Sequence, residues 1–210
     1  MGRYIGPSCR LCRREGIKLM LKGTRCETAK CPMERQKRNM PPGQHSWRRS
    51  RGSEYRLRLR EKQKVKRYYG VWERQFRKYF GEAERGRGNT GSALLSLLER
   101  RLDNVVHKLG MAPSRASARL TVTHGHICIN GRRATIPSRL VKVGDQITIK
   151  DSERSRQLIR ARLEELGEPH LQNWLSLDMA KLEGKVTALP SRDDVMIPVE
   201  EQLIVELCSQ

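Results

Sequence analysis

The first hundred residues of this chain carry 27 Lys and Arg against only 9 Asp and Glu, while residues 101–210 carry 16 against 14. So strong a positive field destabilises any compact state of the first half through self-repulsion, unless anions compensate it. The second half has the balance of an ordinary folded domain. The whole chain, 210 residues with a formal charge of +20, is long enough for one larger or two small domains. At 37% hydrophobic and 5% aromatic residues, its core must be compact and aliphatic. The asymmetry points to nucleic acid or an anionic membrane surface as partner. No apolar run reaches the roughly 18 residues of a membrane span. The N-terminus MGRYIGPS has no apolar signal core, and Gly6 stands where a myristoylation signal has Ser or Thr. The expectation is a soluble, cytoplasmic nucleic-acid binder.

Four cysteines sit inside the basic half. Cys9, Cys12, Cys26 and Cys31 read C-x2-C-x13-C-x4-C, two close pairs that can fold back around one tetrahedral ion. In a reducing compartment this favours a metal over disulfides. Arg10, Arg13, Arg14, Lys22, Arg25 and Lys30 would lower the thiol pKa values and offset a dianionic Zn(Cys)4 centre. One structural zinc is expected, with the binding energy supplying what a segment too short for its own core lacks. An iron–sulfur cluster, disulfides or free thiols are the alternatives. Four sulfur ligands leave no open position for catalysis. Cys128 and Cys208 stand apart and read as packing residues.

Residues 32–54 lack periodicity and carry a Pro41-Pro42-Gly43 turn, which predicts an extended arm with little intrinsic order. Trp47 beside Arg48, Arg49 and Arg51 combines base stacking with phosphate binding, so the arm is expected to order on RNA or DNA. Residues 54–69 predict a helix ended by Gly70, with Leu57, Glu61, Lys64 and Tyr68 on one face and Arg58, Lys62 and Lys66 on another. Seven cations between Arg56 and Arg67 face only Glu54 and Glu61 within it, so a polyanion is expected to prevent fraying. A second helix near 72–80 places Trp72, Phe76 and Phe80 in the core, followed by a loop from Gly81 to Gly91.

In the second half, one continuous amphipathic helix is expected over 92–109, with Leu94, Leu98, Leu102, Val105 and Leu109 as its stripe and Gly110 as its stop. A short helix follows from Pro113-Ser114 to Gly125, with Arg115 and Arg119 on one face. HICINGRRATI reads as a hairpin with a type I′ turn at Asn130-Gly131. A strand at 147–149, a helix at 152–166 and strands near 184–189 and 202–207 complete the chain. A basic helix face beside the hairpin, with His124, His126, Arg132 and Arg133, suits folded RNA read by shape and phosphates; the histidines equally suit cap or strand roles.

The stretches GRYIGPSCRLCRREG, PPGQH, REKQKVKRYYG, ERQF, LERRLDNVVHKLG, HGHICINGRR, IPS and WLSLD carry a resemblance. Over almost its whole length the chain closely resembles the bacterial family of the fourth small-subunit ribosomal protein, in its four-cysteine form. The resemblance implies a primary binder of small-subunit rRNA that grips a multi-helix junction in the 5′ domain and nucleates subunit assembly. It implies the third and fifth small-subunit proteins as neighbours, mRNA where it enters the subunit, and a contribution to decoding accuracy. It implies zinc at the four cysteines. RNA contacts are then expected at Arg3, Arg10, Arg13, Arg14, Arg48, Arg49, Arg51, Arg58, Lys62, Lys66, Arg67, Arg115, Arg119, His124, His126, Arg132 and Arg133. Two positions depart from the family pattern: Thr123 replaces a cation and Arg139 a tyrosine, so neither contact is carried over.

The fold class expected is α+β. Residues 1–45 form the zinc-binding segment and basic arm, and 46–98 a basic helical domain with the tail 195–210 packed on it. Residues 99–194 form the RNA-binding module of two helices, a small antiparallel or mixed sheet and a following helix. Catalysis is weakly supported. Arg101-Leu102-Asp103 matches a tripeptide of pseudouridine synthases, but no stretch supplies a catalytic domain, and Asp103 reads as a helix-surface carboxylate. A zinc-containing DNA-binding regulator is the other alternative.

Overall fold

The computed structural model describes residues 2, 4–35, 38–44, 52–86, 88–167 and 171–209, arranged as two compact units. One comprises residues 1–94 and 196–210, the other residues 95–195.

The first unit begins with a short helix, α1 (Cys9–Glu15), and a 3-10 turn at Gly23–Cys26. Helix α2 (Glu54–Tyr69) follows, capped by the Ser53 hydroxyl accepting from the Arg56 amide and closed by Gly70 at φ 63°. Its buried residues are Lys62, Val65, Tyr68 and Tyr69, whereas Leu57 is exposed. The next helix, α3 (Glu73–Glu84), runs through the expected loop at 81–84. Phe76, Tyr79, Phe80 and Ala83 form the buried i, i+3, i+4, i+7 stripe that carries it past Gly81. Trp72 lies outside that stripe, 53% exposed, as the residue preceding the helix.

The expected single helix over 92–109 is two, α4 (Thr90–Glu99) and α5 (Leu102–Lys108). The division between the units falls within α4. Between the helices Arg101 adopts an extended backbone (φ −65°, ψ 135°) and bridges Leu140. The segment 137–141 fixes the break: the Leu102 amide donates to Arg139 O (2.9 Å), Asp103 N to Pro137 O (3.1 Å) and Val141 N to Arg100 O (2.9 Å). The first amides of α5, orphaned in any helix, thereby find acceptors.

Helix α6 (Arg115–Thr123) starts at Ser114, whose hydroxyl accepts from Ser117 N at 3.2 Å. The hairpin β1 (Ile127–Ile129) and β2 (Arg132–Ala134) turns at Asn130 and Gly131 with φ 50° and 76°, the type I′ signature. Strand β3 (Gln146–Ile149) pairs with β1, and after α7 (Glu153–Leu166) come β4 (Leu175–Asp178) and β5 (Glu183–Val186). The sheet order is β2-β1-β3-β5-β4, with every pairing antiparallel. Nothing in the periodicity of the sequence announces β4. One face of the sheet buries Ile127, Ile129, Ile147 and Val186 against Val105, Val106, Leu109, Val122 and Ile159. Gly184 is required here, because a Cβ would lie 2.5 Å from Leu109 Cδ1.

The expected strand at 202–207 is a helix, α8 (Glu201–Cys208). Its β-branched Ile204 and Val205 favour a strand in isolation, but packing on α2 decides the conformation. As a helix it buries Ile204 completely and brings Glu206 Oε2 to 2.8 Å from Arg58 Nε.

Arg101 is 2% exposed and grips Asp103 with two bonds, Nε–Oδ1 at 3.1 Å and Nη2–Oδ2 at 2.6 Å. Removing one partner of such a buried pair strands the other charge. Arg101→Ala is expected to cost about 3 kcal/mol of unfolding free energy, measured by denaturant titration. A loss no greater than for a surface arginine would exclude this account of the break.

Candidate nucleic-acid interface and the four-cysteine segment

Cys9 and Cys12 lie on α1, Cys26 closes the 3-10 turn, and Cys31 follows on a loop. Cys12, Cys26 and Cys31 are buried and Cys9 half-buried, and all four line one small cavity with Leu21 and Pro32. None is in a disulfide. The Lys22 amide donates to Cys26 Sγ at 3.4 Å, and the Leu19 backbone bonds Cys12. Burial raises the Cys12 pKa, and the charges of Cys26, Cys9 and Cys31 raise it further. The donor set is four thiols lining one cavity, with backbone amides bonded to two of them, and its chemistry is that of a thiolate-bound ion. Among the described residues, no three or more Cys, His, Asp or Glu side chains stand in metal-holding geometry.

Beside these thiols, Arg13 Nη1 donates to Met40 O (3.4 Å) and Arg14 Nη2 to Pro42 O (2.8 Å), pinning the Met40–Pro42 stretch to α1. Arg10 is exposed. Arg3, Arg48, Arg49, Arg51 and Trp47 lie outside the described residues.

The cations expected on α2 have internal partners. Lys62, 7% exposed, donates to Glu73 Oε1 (2.6 Å) and sits over the Phe76 ring; Lys66 donates to Glu73 Oε2 (2.7 Å). Burial alone would raise the Glu73 carboxyl, but Lys62, Lys66 and Arg77 draw it down to about 2. Arg67 pairs with the buried Glu15, which also accepts from Arg60 at 3.4 Å, and Arg58 is held by Glu206 and Glu54. Lys62, Lys66, Arg67 and Arg58 therefore each have a carboxylate partner within the fold.

In the second unit, the expected helix-surface carboxylate of Asp103 is buried. Besides Arg101 it accepts from Arg119 Nη1 (3.3 Å) and the Asn104 amide (3.0 Å). Asn104 Oδ1 accepts from Arg115 Nε (2.7 Å), and Asn104 Nδ2 donates to Glu99 Oε2 (2.6 Å). Glu99, fully buried, also pairs with Lys108 at 2.7 Å. Arg115 and Arg119 are thus held at half-buried positions by a polar network beneath them.

The hairpin presents the exposed cations. Arg132 and Arg133 are exposed, and Arg133 Nη2 reaches His124 O (3.1 Å) across Gly125, where any Cβ would collide with the guanidinium. The His124 and His126 rings are 6.1 Å apart, and His126 Nδ1 lies 2.9 Å from Ser155 Oγ. Burial lowers the His126 pKa, and His124, Arg162, Lys150 and Arg133 lower it further. The depression registers a local concentration of positive charge, suited to phosphate. Lys150 and Arg162 were not expected in this group. Lys150 is placed by strand pairing, its amide donating to His126 O (2.8 Å), and Arg162 by a bond to Thr121 Oγ1 (2.7 Å). Thr123, exposed, turns its hydroxyl back onto Arg119 O (2.8 Å), and Arg139 is exposed at the α4–α5 break.

His107 contrasts with the hairpin histidines. Burial, then the Arg115 charge, lowers its pKa to about 4. Because the folded protein keeps it neutral, the unfolded chain takes up the proton first. Stability should fall as pH drops from about 6.5 to about 4, by up to about 3 kcal/mol. An NMR titration is expected to place the His107 midpoint near pH 4, and a midpoint near 6.5 would contradict its burial.

Residues 3–99 match the family described as "Ribosomal protein S4/S9 N-terminal domain", and residues 100–147 match the "S4 domain". The chain is 54% identical to the small ribosomal subunit protein uS4 of Thermus thermophilus, over the full length of both. The proteins of that name from Trichlorobacter lovleyi and Caldicellulosiruptor bescii are 54% and 55% identical, again with both chains fully covered. Charge, fold and full-length similarity agree: this chain belongs to the ribosomal protein S4 family, whose members are structural ribosomal proteins and not enzymes.

Proposed function

We propose that this chain is a structural component of the small ribosomal subunit that binds its rRNA. The observation that carries the reading is the exposed cationic hairpin and its surroundings, His124, His126, Arg132, Arg133 and Lys150, on a rigid antiparallel sheet. Such an edge supplies phosphate contacts in fixed register, the contacts that position a protein on folded RNA. The relatives matched over their whole length are named as small-subunit proteins.

The finer reading is that the RNA is a multi-helix junction of the 5′ domain and that binding nucleates subunit assembly. The third and fifth small-subunit proteins are its neighbours, with a contribution to mRNA entry and decoding accuracy. Its support is the motif resemblance and the charge of the first hundred residues. Arg10 and the exposed hairpin arginines supply phosphate contacts, with Arg115 and Arg119 held ready by Asn104 and Asp103. Affinity for a 5′-domain rRNA fragment is expected to fall about 1,000-fold or more between about 50 and 200 mM salt. Arg132→Ala and Arg133→Ala should each lower the salt slope by about one. Binding that ignores salt, or that duplex DNA competes away equally, would refute the reading.

Cys9, Cys12, Cys26 and Cys31 would hold one structural zinc. A dication offsets the repulsion among four clustered thiolates and ties α1 to the following loops, which have little core of their own. Purified protein is expected to contain about one zinc per chain and to lose thermal stability on chelation. Iron in place of zinc would favour the cluster alternative, and neither metal with four freely reactive thiols would exclude both.

A further inference from the structure

We propose that the cleft between Tyr4 and Trp72 receives a single unpaired base of the bound RNA. The proposal rests on the RNA-binding reading above and assigns a base contact within it. In the first unit, Tyr68, Tyr69, Phe76, Tyr79 and Phe80 are all buried, whereas Trp72 is 53% and Tyr4 47% exposed; Tyr55, 60% exposed, does not line the cavity these two share. These two rings line the same cavity, of about 220 Å³, with Gln63, Lys66, Arg67 and Val71. Drug-sized ligands occupy roughly 300–1,000 Å³, so this space suits one planar ring.

The Trp72 ring is held in place before any ligand arrives. The Trp72 indole N–H donates to Gly2 O at 2.8 Å, which fixes the ring and satisfies its polar atom. Tyr4 folds back over Gly6, where a Cβ would lie 2.7 Å from its hydroxyl oxygen, so only glycine permits that placement. Fixed aromatic surfaces bind at low entropic cost and accept any base, since every base has a stacking face. Gln63 is half-buried on the wall of the same cavity. It offers a donor and an acceptor to a base edge. The surroundings favour an anionic ligand, because Arg67, Arg60 and Arg14 converge on the single carboxylate of Glu15. A flipped nucleotide brings both a ring and a phosphate, and it meets each of these features. The start of α3 does not require the indole, since Trp72 contributes to it through its carbonyl, which accepts from Phe76 N.

The test uses full-length protein and a 5′-domain rRNA fragment. Trp72→Ala is expected to weaken binding about tenfold, the typical loss of one stacked base, without changing the salt slope. Trp72→Phe should keep most of the affinity. In a Trp47→Phe background, where Trp174 is buried, RNA should quench the Trp72 emission. This readout decides the matter even if Trp72→Ala folds poorly. Unchanged affinity of folded Trp72→Ala, or Trp72 emission indifferent to saturating RNA, overturns the proposal while leaving the RNA-binding reading intact. Wild-type protein that fails to bind the fragment overturns the RNA-binding reading itself.

Discussion

The first unit depends on how α2 is neutralised. A helix with seven cations between Arg56 and Arg67 would repel itself, yet among the described residues five carboxylates pair with it. Glu54 and Glu61 come from the helix itself, Glu15 from α1, Glu73 from the start of α3, and Glu206 from α8. Each inter-element pair also ties a neighbouring helix to α2, so charge compensation and tertiary assembly are one event. Burial makes several of these pairs more than ornamental: Lys62 is nearly inaccessible and the Glu15 side chain wholly so. Exposed ion pairs of the same chemistry would contribute little.

The second unit resolves a different problem, holding basic side chains at half-buried positions. Below Arg115 and Arg119 lies a continuous set of buried polar groups, from Lys108 through Glu99 and Asn104 to Asp103 and Arg101. The extended Arg101 backbone and the carbonyls of Pro137 and Arg139 secure it. At the hairpin, Gly125 lets the Arg133 guanidinium lie directly over the backbone. Rigid support of this kind lowers the entropy lost when cations engage phosphates.

Local signals with a stereochemical cause were legible in the sequence. The Asn130-Gly131 turn, the helix start at Ser114, the Gly70 stop and the HICINGRRATI hairpin all stand where they were expected. What misled was tertiary. The leucine periodicity from Leu94 to Leu109 runs unbroken across two helices, because the break is imposed by residues 137–141. Residues 202–207 read as a strand until α2 offers Ile204 a place to be buried and Arg58 a charge for Glu206. The carboxylate partners of the basic face of α2 were not legible locally, because they lie as far away as Glu15 and Glu206 in sequence. The four cysteines, set in two pairs along the sequence, line one cavity.

The route of the chain has a kinetic side. Residues 1–94 and 196–210 share one unit, so helix α8 is translated only after the whole of the other unit. Synthesis proceeds from the N-terminus at about 5–20 residues per second, and Arg58 lacks its Glu206 partner until α8 is made. The intervening unit, residues 95–195, is contiguous and can mature first. A nascent chain of this protein therefore carries its most cationic helix only partly neutralised until α8 emerges, a window in which nearby polyanions compete for it.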